Sequence, residues 1–237
     1  MKAITILNPA ILVCFTTIFL SCANKDKYED ERKNSNLKGP VKSCFAHSQD
    51  IDKHKDTRGE NGIFLSRLIT FNRKGQVQKI EYYDARMNLY SYSTPIRENG
   101  KITEEVRYLK SGKIESKKKY DHISDRVVAY EEFDEEGNIL LYGKSLEKDL
   151  LVKSIHTHIN KNTGDTITNI YIAEFNKKGD LIASETMNKA HKHRVLYDWY
   201  EYIEFDVWDN WTKRIYYFGE GRDDPRYLEM RDIKYYW

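Results

Sequence analysis

Two histidine pairs, His156-Thr157-His158 and His191-Lys192-His193, hold the residue types in this chain best suited to metal chemistry. On a strand, residues i and i+2 point to the same side, so each pair can present two imidazoles together. Zinc would need both pairs as spatial neighbours. No cysteine pair with zinc-ligand spacing accompanies them. Exposed strand positions account for both pairs, so His156, His158, His191 and His193 are weak candidates, and no metal or other cofactor is assigned. A second group is aromatic. Trp199, Trp208, Trp211 and Tyr216, with further tyrosines between them, crowd the C-terminal end and could stack on glycan rings or dock a protein. Cross-strand packing is the plainer account of the same residues. A third group is acidic, Glu131-Glu132 with Asp134-Glu135-Glu136. Paired carboxylates do acid–base work only in a cleft that separates their pKa values, and this run surrounds a turn. With no nucleophile elbow, phosphate loop or dinucleotide fingerprint, no catalytic residue is assigned and the chain is expected not to be an enzyme.

The elements that carry these residues are strands. The chain has 237 residues, 32% of them charged, with 39 basic against 37 acidic side chains. That balance lacks the concentrated basic footprint of nucleic-acid binding. Tyrosine is abundant at 18 residues, which favours a pleated, half-buried surface. A spacing recurs through the body: an aromatic, Asp or Asn, two polar residues, Gly, a polar residue, then an apolar one. Phe71 to Val77, Phe133 to Ile139 and Phe175 to Leu181 are the clearest copies. Copies starting at Ile96 and Tyr108 are looser, those at Tyr83 and Tyr120 lack the glycine, and the one at Phe205 puts Asp209 in its place. A type I turn favours Asx first and Gly fourth, and the fourth residue takes positive φ. Gly75, Gly100, Gly112, Gly137 and Gly179 are therefore expected at hairpin turns.

Copies begin at residues 71, 83, 96, 108, 120 and 133, steps of 12 or 13. After the turn each step leaves a strand of about eight residues. Links this short force neighbouring strands to be antiparallel. Alternation agrees: Ile102, Glu104, Val106 and Tyr108 share one face, as do Val195, Tyr197, Trp199, Ile203 and Phe205. The expected fold is all-β, an antiparallel meander of repeated hairpins over residues 37–237. A sheet of ten or more strands curls or closes to hide its apolar face, so a curved sheet or open barrel is expected.

The N-terminus reads as an address. Met1-Lys2 is followed by an apolar, uncharged run ending Ile18-Phe19-Leu20-Ser21-Cys22. The run has the character of a secretory signal, and its end resembles a bacterial lipobox, in which a small residue precedes a cysteine that becomes lipidated. Residues 1–21 are accordingly expected to be a lipoprotein signal peptide, Cys22 the lipidated residue, and residues 22–36 a charged, flexible tether. Lys25-Asp26 with Glu29-Asp30-Glu31 is similar to the signal that sends some Bacteroidetes lipoproteins to the outer face of the outer membrane. Of the three cysteines, Cys44 alone would then remain as a free thiol, expected as a buried apolar residue.

Leu37-Lys38-Gly39-Pro40-Val41-Lys42-Ser43, the Phe-Asn-x-x-Gly turns, and Asp209-Asn210-Trp211-Thr212-Lys213-Arg214 resemble a group of uncharacterised Bacteroidetes lipoproteins whose hairpin repeats are similar to the YD repeats of RHS proteins. The resemblance implies a repetitive β-sheet on the cell envelope and no established chemistry. The expected function is a lipid-anchored outer-membrane protein, displayed at the cell surface, whose β-repeat domain is a non-enzymatic binding or structural module for a protein or glycan partner. The alternative is a periplasm-facing carrier whose curved sheet cups acyl chains.

Overall fold

A computed structural model describes residues 31–51, 66–189, 195–219, 221–222 and 225–237. The segment expected to be a signal peptide, Cys22, His191 and His193 lie outside the described residues. After a 3₁₀ turn at Lys33–Ser35 come fourteen described strands: β1 Val41–Asp50, β2 Ser66–Phe71, β3 Val77–Tyr83, β4 Leu89–Glu98, β5 Lys101–Leu109, β6 Ile114–Ser124, β7 Val127–Asp134, β8 Ile139–Lys148, β9 Leu151–Ile159, β10 Thr166–Phe175, β11 Leu181–Asn188, β12 Val195–Phe205, β13 Trp211–Phe218 and β14 Pro225–Tyr235. Each pairs antiparallel with its sequence neighbours, and β1 also pairs with β14, so the meander is a closed barrel rather than a curved sheet or an open one. Closure leaves no sheet edge unpaired.

The repeat is a five-residue corner attached to a bulge. In its clearest form the Asn72 N–H donates to the Gln76 carbonyl (2.9 Å) and the Gly75 N–H to the Asn72 carbonyl (3.0 Å). Asn72 Oδ1 accepts from the amides of Lys74 and Gln76 at 2.9 and 3.0 Å. Asp84, Asp134, Asn176 and Asp206 build the same Asx clasp at their own corners. The fourth residue is left-handed in each: Gly75, Gly137 and Gly179 at φ 83, 89 and 87, and Met87 and Asp209 at 63 and 61. Gly112 takes the same place in a corner that opens with Leu109. The aromatic ahead of each corner marks an irregularity in the ladder, as at Phe71, Tyr83, Tyr108, Phe133, Phe175 and Phe205. Bulges increase local twist and bend the strand, so the same few residues both reverse the chain and help curve the wall.

Two copies differ from the expected unit. Asn99 and Gly100 both have positive φ, 51 and 84, and join β4 to β5 through a two-residue turn instead of a five-residue corner. At Tyr120 the strand runs on to Ser124 and reverses at residues 125–126, because Ser124 does not supply the left-handed fourth position that Asp121 would need.

Residues 31–36, expected to belong to the flexible tether, are ordered across one end of the barrel. Glu31, only 2% exposed, accepts from the Val77 amide at 2.7 Å and from Arg97 at 2.5 and 2.8 Å. A buried carboxylate held by a guanidinium fork and a backbone amide is well satisfied. Asn36 hydrogen-bonds Asp180, and the Lys38 amide donates to Asn210 Oδ1 at 2.6 Å. Leu37 completes an apolar cluster with Val41, Cys44, Ile69, Phe71, Val77 and Ile80. Gly39, at φ 77, lies against the Trp208 ring, where a Cβ would come within 2.6 Å of the indole.

Gly137 has a similar φ with open space around it, which separates strain from clash. Gly137→Ala is expected to cost about 1–2 kcal/mol for the left-handed conformation alone. Gly39→Ala should cost at least ~1 kcal/mol more, from overpacking against Trp208. Urea unfolding of both variants measures the difference, and equal losses would mean that the strap is not seated on that indole.

Candidate functional site in the barrel lumen

Residues paired across a ladder share a face, so the register shows which side chains point inward. The inner series runs through Arg67, Tyr82, Ser93, Arg107, Lys118 and Glu132 on successive turns of the wall, and returns through Tyr200, Arg214, Glu229 and Arg231. Serines fill the crowded inner positions, and Ser91, Ser93 and Ser154 are fully buried. They supply the hydroxyls that charged neighbours need: Arg107 donates to Ser91 at 3.0 Å, Ser116 to Glu132 at 2.8 Å, and Ser184 to Asp198 at 3.0 Å. Of the two apolar series noted in the sequence, Glu104 to Tyr108 and Tyr197 to Trp199 belong to the opposite, outer side, whereas the ladder shifts register twice before Phe205, which pairs with Trp211.

The densest charge lies where β1, β2, β13 and β14 meet. Ala46 pairs with Arg67 on one side and Arg231 on the other. Two inward arginines thus flank a residue with only a methyl group, two strand spacings apart, about 10 Å. Arg231 is 8% exposed and lies 3.6 Å above the Trp211 ring. Arg214 lies 4.3 Å from the same ring centroid and 4.2 Å from that of Tyr200. Cation–π contact of this kind stabilises a guanidinium most when water is excluded. Glu229 pairs with Arg214, and Tyr202 Oη stands 3.1 Å from the same guanidinium. Burial pulls Arg214 down, but Glu229 overcomes this and holds it above its ordinary value. Burial, with the positive charges of Arg214 and Arg67 adding to it, pushes Arg231 down to about 10. Burial also lowers Arg67. All three stay charged at neutral pH. Beneath them the Cys44 thiol is pushed up by burial, an inert apolar filler.

The opposite wall carries a second group. Lys118 Nζ sits 4.4 Å over the Tyr130 ring. Its inward neighbours include Glu132 and, two strands further on, His156 and His158. The two imidazoles share a face, 5.3 Å apart. Burial first, then the positive charges of His158 and Lys118, push His156 down to about 4. Among the described residues no cluster of three metal-ligating side chains forms, and a lysine faces the pair.

The aromatic candidates do not form one patch. Trp211 is buried under Arg231. Tyr216 also points inward, donating to Asp198 at 2.6 Å. Trp208 packs on the N-terminal strap beside Tyr235. Trp199 is on the outer wall, donating to the Gly219 carbonyl at 3.1 Å. The acidic run is likewise divided. Glu131 faces out and Glu132 in, and Asp134 clasps its corner and pairs with Lys161 at 2.7 Å, which holds its carboxyl well below the usual range. Arg67, Arg231 and Glu229 were not singled out in the sequence, and Glu31 was read there only as part of the acidic export-like run. Their signal was the alternation Tyr227, Glu229, Arg231 in β14, a polar face that reads as solvent-facing until the sheet is known to close.

The fold is similar to the crystal structure of a porin-like protein from Bacteroides uniformis, with a TM-score of 0.48 and 9% identity over 84% of this chain and 98% of that one. No protein-family model and no curated protein matches the chain.

His156 makes the lumen sensitive to acid with a definite sign. Its folded value, about 4, lies below the ordinary 6.5. The unfolded chain therefore takes up the proton first, and stability falls as pH drops through the window from 6.5 to 4. In His156→Asn the loss of stability between pH 7 and pH 4 should shrink by on the order of 2–3 kcal/mol. Urea titrations of both proteins at the two pH values measure it, and an unchanged loss would place the acid sensitivity elsewhere.

Proposed function

We propose that the chain is a lipid-anchored envelope protein, tethered through Cys22, that holds a closed barrel in water beside the outer membrane and uses its charged lumen as a non-enzymatic binding chamber for a polar solute or glycan. The observation that carries this reading is that charge occupies both sides of the wall. On the outside, apolar side chains such as Ile155, Ile172, Trp199, Ile215 and Leu228 are interrupted by charge: Glu104 pairs with Lys119, which pairs with Glu131, and Lys144, Lys153, Glu185 and Glu201 occupy outward positions on later strands. A barrel that spans a bilayer presents an apolar band about 25 Å tall, and each lysine at the midplane of that band costs roughly 2–4 kcal/mol. Glu131, Lys144 and Glu201 fall near the middle of their strands, where such a band would lie. The wall is therefore read as water-facing, and the lipid as what holds the chain to the membrane.

The inner face bears on the choice of ligand. A cup for acyl chains needs a continuous apolar lining, whereas Arg107, Lys118, Glu132, Arg214 and Arg231 interrupt this one. That counts against the carrier. Surface display is part of the same proposal, and within the acidic export-like run Glu31 is taken up by the barrel itself.

Alkaline carbonate extraction of membranes tests the anchoring. The wild-type chain should sediment with membranes, while Cys22→Ala should appear in the soluble fraction and remain monodisperse without detergent. A Cys22→Ala protein that stays in the membrane pellet after carbonate would mean that the barrel is embedded, and would sink this reading.

A further inference from the structure

The two ends of the barrel differ at equivalent positions of the repeat. Corners at residues 72–76, 176–180 and 206–210 share the end that the strap crosses, and those at 84–88, 109–113 and 134–138 share the other. The second and third residues of a corner stand at its tip. At the strapped end these are Arg73-Lys74, Lys177-Lys178 and Val207-Trp208, all exposed. At the other end they are Ala85-Arg86, Lys110-Ser111 and Glu135-Glu136, and Lys113 and Lys161 pair with the two glutamates at 2.6 and 2.9 Å. The carboxylates of the strap and its three corners are engaged within the structure. Glu31 and Asp180 are each 2% exposed, Asp206 accepts from Tyr235, and Asp209 is shared by Lys38 at 2.7 Å and Lys178 at 3.3 Å. Glu204, just before the last corner, pairs with Lys213 at 3.1 Å. This end therefore presents cations to solvent. Apolar side chains stand among them: Val207 is 95% exposed, Trp208 46% and Phe205 42%. Arg73 lies 5.2 Å over the Tyr236 ring, Tyr235 stands beside Trp208, and Lys178 Nζ lies 5.7 Å from the Phe205 centroid, so the three corners meet in one patch.

We propose that the strapped end is a docking surface for an anionic lipid headgroup layer. The patch suits that partner on two counts. Each basic side chain held beside anionic headgroups strengthens binding on the order of fivefold. Tryptophan and tyrosine favour the headgroup level, and apolar side chains beside them can enter the acyl boundary just beneath. A soluble acidic chain would match the cations and leave Val207 in water. An apolar partner would cover Val207 and leave the cations unmatched. Single exposed apolar residues are ordinary on protein surfaces, but Phe205, Val207 and Trp208 fall together at the end whose corner carboxylates are all engaged. The inference rests on the barrel standing in water beside a membrane and adds a second, reversible contact to the lipid. Such a contact is screened by salt, so it does not alter the fractionation expected above.

The test uses the chain expected after signal cleavage, residues 22–237, with Cys22→Ala so that no acyl chain contributes. It is mixed with phosphatidylcholine vesicles made with and without phosphatidylglycerol, and the vesicles are floated. At low salt the protein should float with the phosphatidylglycerol vesicles only, and sodium chloride should release it. Tryptophan emission should move to shorter wavelength over the same lipid range, and Trp208→Phe should remove that shift without preventing flotation. Lys177→Gln should weaken binding on the order of fivefold. Val207→Ser should weaken it several-fold at unchanged charge, whereas Lys110→Gln at the other end should leave it as it was. Both tip residues are exposed, so urea midpoints should match that of the parent chain and show that the variants fold. No affinity for either vesicle, or affinity that survives both tip substitutions, overturns the surface and leaves the binding chamber standing. A loss in Lys177→Gln with none in Val207→Ser would mark a site for a soluble acidic chain, and self-association abolished by Val207→Ser would mark a contact between copies; either overturns the proposal. A chain that stays in solution only with detergent overturns this inference and the water-facing barrel together.

Discussion

Pairing of β1 with β14 decides what every other residue experiences. Without it the same hairpins make a ribbon with two wet faces, and inward arginines would be ordinary surface charges. With it, one face of all the strands is withdrawn from bulk water at once. Charges on that face must then find partners across a few ångströms of lumen. The serine hydroxyls, the tyrosine rings beneath Arg214 and Lys118, and the fork between Arg97 and Glu31 all answer this demand. The closing ladder runs without interruption from Ser43 to Asp50, so the seam is as continuous as the other joints of the wall.

The corners make closure affordable for a chain with few glycines. Each corner satisfies its own backbone through one Asx side chain, which removes the need for outside partners at the rims. Where Gly is missing, Met87 and Asp209 still adopt the left-handed fourth position, because the clasp and the two flanking ladder bonds over-determine it. The aromatic ahead of the corner does a second job by sitting at the irregular step of the ladder. Curvature is thus added at both rims, through the same handful of residues that define the repeat.

Much of this was legible in the sequence, and the part that was not has a single physical origin. Turn chemistry is local, so Asn72, Asp134 and Asn176 announce hairpins by themselves. The 12- or 13-residue step then sets strand length and antiparallel order. Which face is inside is not local. Period-two alternation gives two faces but not their destinations, and here the more apolar face, with Val106 and Trp199, is outward while Arg107 and Tyr200 are inward. Closure is a long-range pairing between β1 and β14, separated by nearly the whole body. The same blindness hid the arginine cluster, assembled from Arg67 at one end of the barrel sequence and Arg231 at the other. It also made residues 31–36 look like linker, because Glu31 becomes structural only when Val77 and Arg97 stand ready to receive it.

The strap that runs from Glu31 to Gly39 makes the two rims unequal. It covers the rim that carries the corners at residues 72–76, 176–180 and 206–210. Three corners remote from one another in sequence are thereby joined through a single stretch of chain, so a change at Glu31, Asn36 or Lys38 reaches β3, β11 and β13 together.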